Sequence, residues 1–585
     1  LQFKKVYILF QSITNMMASL AFLPTGASWH APGPTTTTSS PSAQYTNKSA
    51  IKPIPSISFA STSTLKSRTR TRTKTIRMVA TSPNPSTSTP TQGSKRLADM
   101  LDQIPPSLRK ACLALPPDAT IVPLDARGTK IVATIGPSTS SPENLLRLAA
   151  EGANLIRLNM SHGDYDWHRK VIQHVRKINE ESPFVLGTIL DVGSLDMVRL
   201  GEFSSSPTLQ KGDSFTLTIR HEAAYEEGVS EVSYDGFIDV VAAGDLIQID
   251  SGTETVEMLV KKVTKTDAVC KVSVGGTLKS RSTIMIRGKS YFMDARQNQD
   301  TLEDCMLTGV SGCHPMADID FGIQEHVDYI SLSFVESADI INNCRNILRE
   351  KNSHCLIIAK IESQPALENI HEIVRAADAI MIARGDLGTA IPFHQVPVWQ
   401  ERIANICREL GKPCLVSTHF LESMTMYPTP TRAEVTDISE AVSQRADALI
   451  LTSETASGKY PFKSLAIMHA VAKRMEEHLN TKNTPCALPP LHPDRKASNV
   501  TYLAENIASA AAILANQRKA KAILVFTQKG LMANLVSRCR PAAPIFAFTA
   551  APAIRNKLSL LYGVRPFKIR FLDKPEDTVQ IAFED

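Results

Sequence analysis

Eight short apolar runs, each closing on a polar or charged signature, recur along the chain. They are TKIVATIG (129–136), NLIRLNMS (154–161), FVLGTILDV (184–192), DYISLSFVE (328–336), CLIIAKIE (355–362), AIMIARGDL (379–387), CLVSTHF (414–420) and ALILTSETA (448–456). Runs of this length, rich in Ile, Val and Leu, suit strands buried on both faces. Most are followed by a segment of helical period, such as SADIINNCRNILRE after the fourth and QPALENIHEIVRAAD after the fifth. Eight strand–helix alternations predict an α/β fold, a closed parallel (β/α)8 TIM barrel. Chemistry in such barrels sits at the C-terminal ends of the strands. Here those ends carry Arg157, Asn159, Ser161, Lys360, Glu362, Arg384, Asp386 and Thr418. Strands must end in something soluble, so isolated polar ends are ordinary. This many ionic ones at one mouth are not.

A barrel needs about 250 residues, and the chain has 585. The third run ends at 192 and the fourth begins at 328, a gap far too long for a strand–helix loop. The gap holds strand-like alternation in DSFTLTIRH, LIQIDSG, TVEMLVKKV and VCKVSVGG. It predicts a small β-barrel domain inserted at 202–288, placed as a lid over the barrel mouth. The TIM barrel then takes 96–201 and 289–478. After the eighth run come a helix, a polar Pro-rich linker and a second α/β unit at 479–585, which is expected to be incomplete at its C-terminus.

The first acidic residue is Asp99, and ten lysines and arginines precede residue 78. The net charge of +6 is therefore carried by that segment, and the body is mildly acidic. Charge gives no support for nucleic-acid binding. Rich in Ser, Thr and Pro and free of Asp and Glu, residues 1–95 have the composition of an organelle transit peptide and are set aside from the fold. MASLAFLPTG from Met17 resembles the start of a chloroplast transit peptide, so the expected location is the plastid stroma, with the cytoplasm as the alternative. No run is long enough to span a membrane. The ten cysteines show no metal spacing; Cys305 and Cys313-His314 come nearest.

In Ala359-Lys360-Ile361-Glu362, Lys360 and Glu362 share one face of a strand end. A carboxylate there can hold a hard divalent cation. The ammonium can neutralise charge on a transferred phosphoryl group. Asp386, at the next strand end, would supply a second carboxylate, and Gly385 would let a ligand approach the backbone. The plain alternative is a structural Lys–Glu pair beside a helix-capping Asp. Arg157, Asn159 and Ser161 also share one strand face, a pattern suited to an anion and a cation side by side. His162 read alone is a strand-end histidine. Thr418 is either a hydrogen-bond donor and proton relay or a cap for a following helix. Neither GxxxxGK[ST] nor a strand-borne GxGxxG is present.

Together, TKIVATIGPS, IRLNMSHG, AKIESQPALENI, MIARGDLGTAIP, GKPCLVSTHFLESM, TPTRAEVTDISEAV and LTSETASGKYP resemble the pyruvate kinase family across about 127–585. The resemblance implies phosphoryl transfer between phosphoenolpyruvate and ADP, giving pyruvate and ATP, with Mg²⁺ and usually K⁺, in a homo- or hetero-oligomer of the tetramer type. It implies that Arg157 binds the substrate phosphate, Lys360 stabilises the phosphoryl group, and Glu362 and Asp386 hold Mg²⁺. Gly385 and Thr418 would contact substrate, with Thr418 near the enolate to be protonated. Asn159, Ser161 and Asp191, with the Val192 carbonyl, would hold K⁺. Asn159, Ser161, His162 and Arg199 would serve the nucleotide.

Several positions depart from the family pattern. The LDTKGPEIRTG segment is rewritten as Leu190 to Gly201, keeping Asp191 and Arg199 but placing Met197 near a lost carboxylate. A nucleotide-contacting lysine becomes Ser282. The C-terminal effector loop reads Thr527 to Met532, without its run of hydroxyls. The resemblance therefore implies a catalytic pyruvate kinase or, as the alternative, a non-catalytic pyruvate-kinase-like regulatory subunit.

Overall fold

The computed structural model describes residues 8–10 and 127–584, apart from 194–197, 204, 221–227, 235, 251–254, 281, 288–314 and 482–498. Met197, Cys305, Cys313 and His314, and the 1–95 segment save Ile8–Phe10, lie outside the described residues. The eight runs form eight strands: Lys130–Thr134, Leu155–Asn159, Gly187–Asp191, Tyr329–Leu332, Leu356–Ile361, Ala379–Ala383, Cys414–Ser417 and Ala448–Leu451. They close into a parallel barrel in chain order, the last pairing with the first.

Period-two alternation divides each strand between two cores. One set of residues points into the barrel: Val132, Leu155, Ile189, Tyr329, Ile358, Met381, Leu415 and Ile450 form one buried cluster. The other set, including Ile131, Ile156, Leu190, Ile330, Ile357, Ile382, Val416 and Leu449, packs outward against the helices. Inward positions turn polar toward the C-terminal end, so Leu155 gives way to Arg157, Ile189 to Asp191, and Ile358 to Lys360. The helices begin on local signals. Ser141, Asp164 and Ser363 accept backbone N–H groups at their helix starts. Thr431 and Glu434 form a capping box.

Between the third and fourth strands lies a mostly antiparallel six-stranded sheet. Its order is Thr283–Ile286, Leu246–Asp250, Thr255–Val263, Asp267–Val274, Ser214–Thr218 and Val229–Glu231. It has its own core, with Phe215, Phe237, Ile247, Met258 and Ile284 fully buried or nearly so. That core takes in Val198 and Leu200, ahead of residue 202. The Leu200 N–H bonds the Ser282 carbonyl and the Ile284 N–H bonds the Val198 carbonyl, so the two connections to the barrel run side by side.

The C-terminal unit stacks Ile523–Phe526, Ile545–Thr549 and Val564–Lys568 in parallel, with helices Asn499–Arg518, Leu531–Arg538 and Pro552–Leu558. Ile8–Phe10 pairs parallel with its first strand. The unit docks against the N-terminal end of the barrel. Leu560 completes the cluster inside the barrel, and buried Lys130 donates to the Val564 carbonyl. The Tyr562 ring presses on Gly128, where an added Cβ would lie 2.5 Å from the ring. Arg538 donates to the carbonyls of Arg408 and Glu409 at the end of the helix Val396–Leu410. A cation there suits the unpaired carbonyls and the negative end of the helix dipole.

Candidate functional site

The inward polar residues at the C-terminal end of the barrel form a compact ion array. Arg157 grips Asp191 through Nε at 2.7 Å and Nη2 at 2.6 Å, and also donates to Thr134 Oγ1 at 3.2 Å. Lys360 Nζ lies 2.9 Å from Glu362 Oε1 and 3.5 Å from Asp191 Oδ1, and donates to Ser333 Oγ at 3.0 Å. Glu362 is anchored by the Phe334 N–H, which donates to Oε2 at 2.7 Å from a residue at φ 48°. That left-handed conformation is uncommon for a bulky side chain.

The electrostatics follow from burial and pairing. Desolvation pushes the Asp191 carboxyl up, but Lys360 and Arg157 outweigh it, and its pKa lies below the ordinary value. Desolvation opposes the Lys360 ammonium, but Asp191, Glu362 and Asp386 together hold its pKa above the ordinary value. Glu362 is raised to about 7, first by burial and then by Asp386 against the pull of Lys360. Asp386 stands in the first turn of the short helix Arg384–Ala390, and its charge is felt at both Lys360 and Glu362.

Two buried carboxylate oxygens, Asp191 Oδ1 and Glu362 Oε1, and the Ser331 hydroxyl have no aligned hydrogen-bond partner. Both carboxylate oxygens face the Lys360 ammonium instead, and carboxylate oxygens clustered in a buried mouth are the donors that a hard cation takes.

Thr418 closes the other side. Its hydroxyl donates to the Ser417 carbonyl at 2.6 Å and accepts the Gly385 N–H at 2.8 Å. No regular α-helix starts at Thr418, which sits at φ 72°, so it does not cap a following helix; its hydroxyl meets the first turn of Arg384–Ala390 instead. A methyl group at Gly385 would meet Thr418 and His419 only at 3.5–3.8 Å. The protein's own packing does not require glycine there.

Asn159 and Asp191 are register partners on adjacent strands. Asn159 Oδ1 accepts the Ser161 N–H, and the Val192 carbonyl accepts the Ser333 hydroxyl. His162 is lowered by partial desolvation and then by Arg199 and Arg157, which brings Arg199 of the lid connection into the electrostatic reach of the mouth.

Residues 126–465 match the family described as pyruvate kinase, barrel domain, and residues 505–584 match pyruvate kinase, alpha/beta domain. The chain belongs to the pyruvate kinase family. It is 40% identical to pyruvate kinase isozyme A, chloroplastic, of Ricinus communis over 465 residues, 78% of this chain and 77% of that protein. It is 34% identical to pyruvate kinase 2 of Synechocystis over 461 residues, 78% and 73% of the two chains. The crystal structure of a pyruvate kinase from Cryptosporidium parvum superposes with a TM-score of 0.67 at 29% identity, covering 79% of this chain and 91% of the other. The chain is accordingly an enzyme of pyruvate kinase type.

Of the residues singled out by the pyruvate kinase resemblance, Arg157, Asp191, Lys360, Glu362 and Asp386 come together as one electrostatic unit, with Gly385 bonded to Thr418. Arg384, read as part of the mouth, turns away to pair with Asp437 at 2.6 Å. Ser282 is buried and donates to the Lys279 carbonyl at 2.8 Å. Thr527 accepts the Gly530 N–H, and Leu531 is half exposed beside it. Thr134, Ser333 and Phe334 escaped the sequence reading. Ser333 carries a usable signal, since it continues the inward parity of Tyr329 and Ser331.

Proposed function

We propose that this pyruvate kinase uses the Arg157–Asp191–Lys360–Glu362 array to transfer the phosphoryl group of phosphoenolpyruvate to ADP with Mg²⁺ as the divalent ion. The observation that carries the reading is a buried ammonium placed 2.9 Å from Glu362 Oε1 and 3.5 Å from Asp191 Oδ1, with the charge of Asp386 beside them. Glu362 and Asp386 would hold the metal, which supplies charge neutralisation to the substrate oxygens. Arg157 binds the phosphate and is itself aimed by Asp191 and Thr134. The bond from the enolpyruvate oxygen to phosphorus breaks as a bond to a terminal phosphate oxygen of ADP forms. Lys360 offsets the charge that grows on the transferring group. The enolate left behind takes a proton at its methylene carbon on the side of Thr418. Asn159, Ser161, His162 and Arg199 would face the nucleotide.

K⁺ is expected to matter little. Asp191 is held by Arg157 and Lys360 and the Val192 carbonyl by Ser333, and the sequence has Met197 where the family pattern has a carboxylate nearby. A coupled assay with phosphoenolpyruvate, ADP and Mg²⁺ should show turnover that is similar in K⁺ and Na⁺. No turnover would favour the non-catalytic subunit. A large saturable gain in K⁺ would overturn the potassium reading. Exposed Phe393, Val398, Met426 and Tyr427 support a subunit contact, so the same sample should scatter light as an oligomer, and a monomer would count against it.

The chloroplastic and plastidial names of the relatives and the acid-free leader support a plastid location over a cytoplasmic one. Among the described residues no helix is long and apolar enough to cross a membrane. Residues 17–80 fused to a fluorescent reporter should carry it into plastids. Cytosolic fluorescence would reverse the assignment.

A further inference from the structure

Thr418 and the following His419 both sit in the left-handed region, at φ 72° and 58°. For a β-branched residue that conformation is an outlier, and two such residues in succession persist only where the surroundings over-determine them. One side chain dominates those surroundings. Arg384 Nε donates to the Ser417 carbonyl at 3.3 Å, and Nη2 donates to the Thr418 carbonyl. Nη1 pairs with Asp437 Oδ1 at 2.6 Å, on the helix Arg432–Ser443. The guanidinium lies 4.2 Å from the centroid of the Phe420 ring. Its side chain is only 10% exposed. These partners all lie outside the ion array, so Arg384 touches the peptide that carries Thr418 and not the reacting groups.

We propose that Arg384 is a positioning residue: it clamps the left-handed turn so that the Thr418 hydroxyl faces the Gly385 N–H. This rests on the reading of Thr418 given above. A planar fork with separate donors for two successive carbonyls and a carboxylate is something a lysine cannot supply. Asp437 and Phe420 fix the fork from two further segments. With the clamp released, the turn would relax toward ordinary backbone angles and carry the hydroxyl away from Gly385. The step affected is formation of the C–H bond at the enolate methylene carbon, whose proton comes from solvent on the Thr418 side. Binding of the phosphate by Arg157 would be spared.

The test is a double-mutant cycle in the full chain with Arg384→Gln, Thr418→Val and both together. Turnover, KM for phosphoenolpyruvate, and the metal- and nucleotide-dependent exchange of pyruvate methyl protons for deuterium are measured. Arg384→Gln should lower kcat and exchange by about tenfold to a hundredfold. KM should stay within about twofold. In the Thr418→Val background the same change should cost almost nothing more, because both act through one hydroxyl. Arg384→Lys should show the same split. Asp437→Asn, which leaves the two carbonyl bonds, should show a smaller one. If Arg384→Gln does not fold by circular dichroism, the lysine and Asp437 variants carry the cycle. Additive losses, or normal exchange in the Arg384 variants, would overturn the clamp while leaving Thr418 in place. Wild-type turnover and exchange in Thr418→Val would overturn both.

Discussion

Lys360→Met should remove nearly all turnover while leaving phosphoenolpyruvate bound. On the proposed assignment the nearly buried ammonium would sit where negative charge accumulates during transfer, so its value would be greatest in the transition state. A loss of about a thousandfold in kcat is expected, by comparison with the removal of one preorganised donor from an oxyanion site. Arg157 keeps its grip on Asp191 and would still hold the phosphate, so KM should move much less. Met fills a similar volume. Its cost is the uncompensated charge of Asp191 and Glu362, which Arg157 and bound Mg²⁺ would offset in the assay. Steady-state kinetics with a fluorescence titration of phosphoenolpyruvate separates the two effects. Near-normal turnover would remove Lys360 from the catalytic assignment.

Glu362→Gln and Asp386→Asn should each raise the Mg²⁺ concentration needed for half-maximal rate. They should lower the maximal rate by more than about a hundredfold, since even outer-shell ligand changes reach that scale. Both substitutions keep the shape of the side chain. The amide oxygen at 362 can still accept the Phe334 N–H, so the turn that supports it should survive. The thermal stabilisation produced by Mg²⁺ should shrink in parallel with activity, because a ligand stabilises only in proportion to its binding. An unchanged Mg²⁺ dependence in either variant would place the cation elsewhere.

Much of this site was legible in the sequence because parity carries the information. Arg157, Asp191, Lys360 and Glu362 lie at even spacing from apolar residues that line the barrel, and period two sends them all to one mouth. The end of that rule explains the error over Arg384. The strand ends at Ala383 and Arg384 opens a helix, so strand parity stops before it and Arg384 meets Asp437 and Phe420. Thr134 and Ser333 went unnoticed because hydroxyl residues at strand ends are too ordinary to signal anything alone. The Phe334 N–H could not be read at all, since its usefulness depends on a left-handed backbone that Phe rarely adopts. Lid strands were visible as alternation, but the paired connections at Leu200 and Ser282 belong to long-range pairing that no local pattern encodes.

The C-terminal unit has a consequence for how the enzyme comes apart. Leu560 fills the floor of the barrel, Lys130 gives its ammonium to the Val564 carbonyl, and Tyr562 lies on Gly128. Separated from that unit, the barrel would expose its apolar floor and leave Lys130 without the Val564 carbonyl. The matches at 126–465 and 505–584 divide the chain by ancestry, whereas cooperativity joins it. The barrel and the C-terminal unit should denature as a single calorimetric body. The inserted sheet has its own core and is expected to give a separate transition.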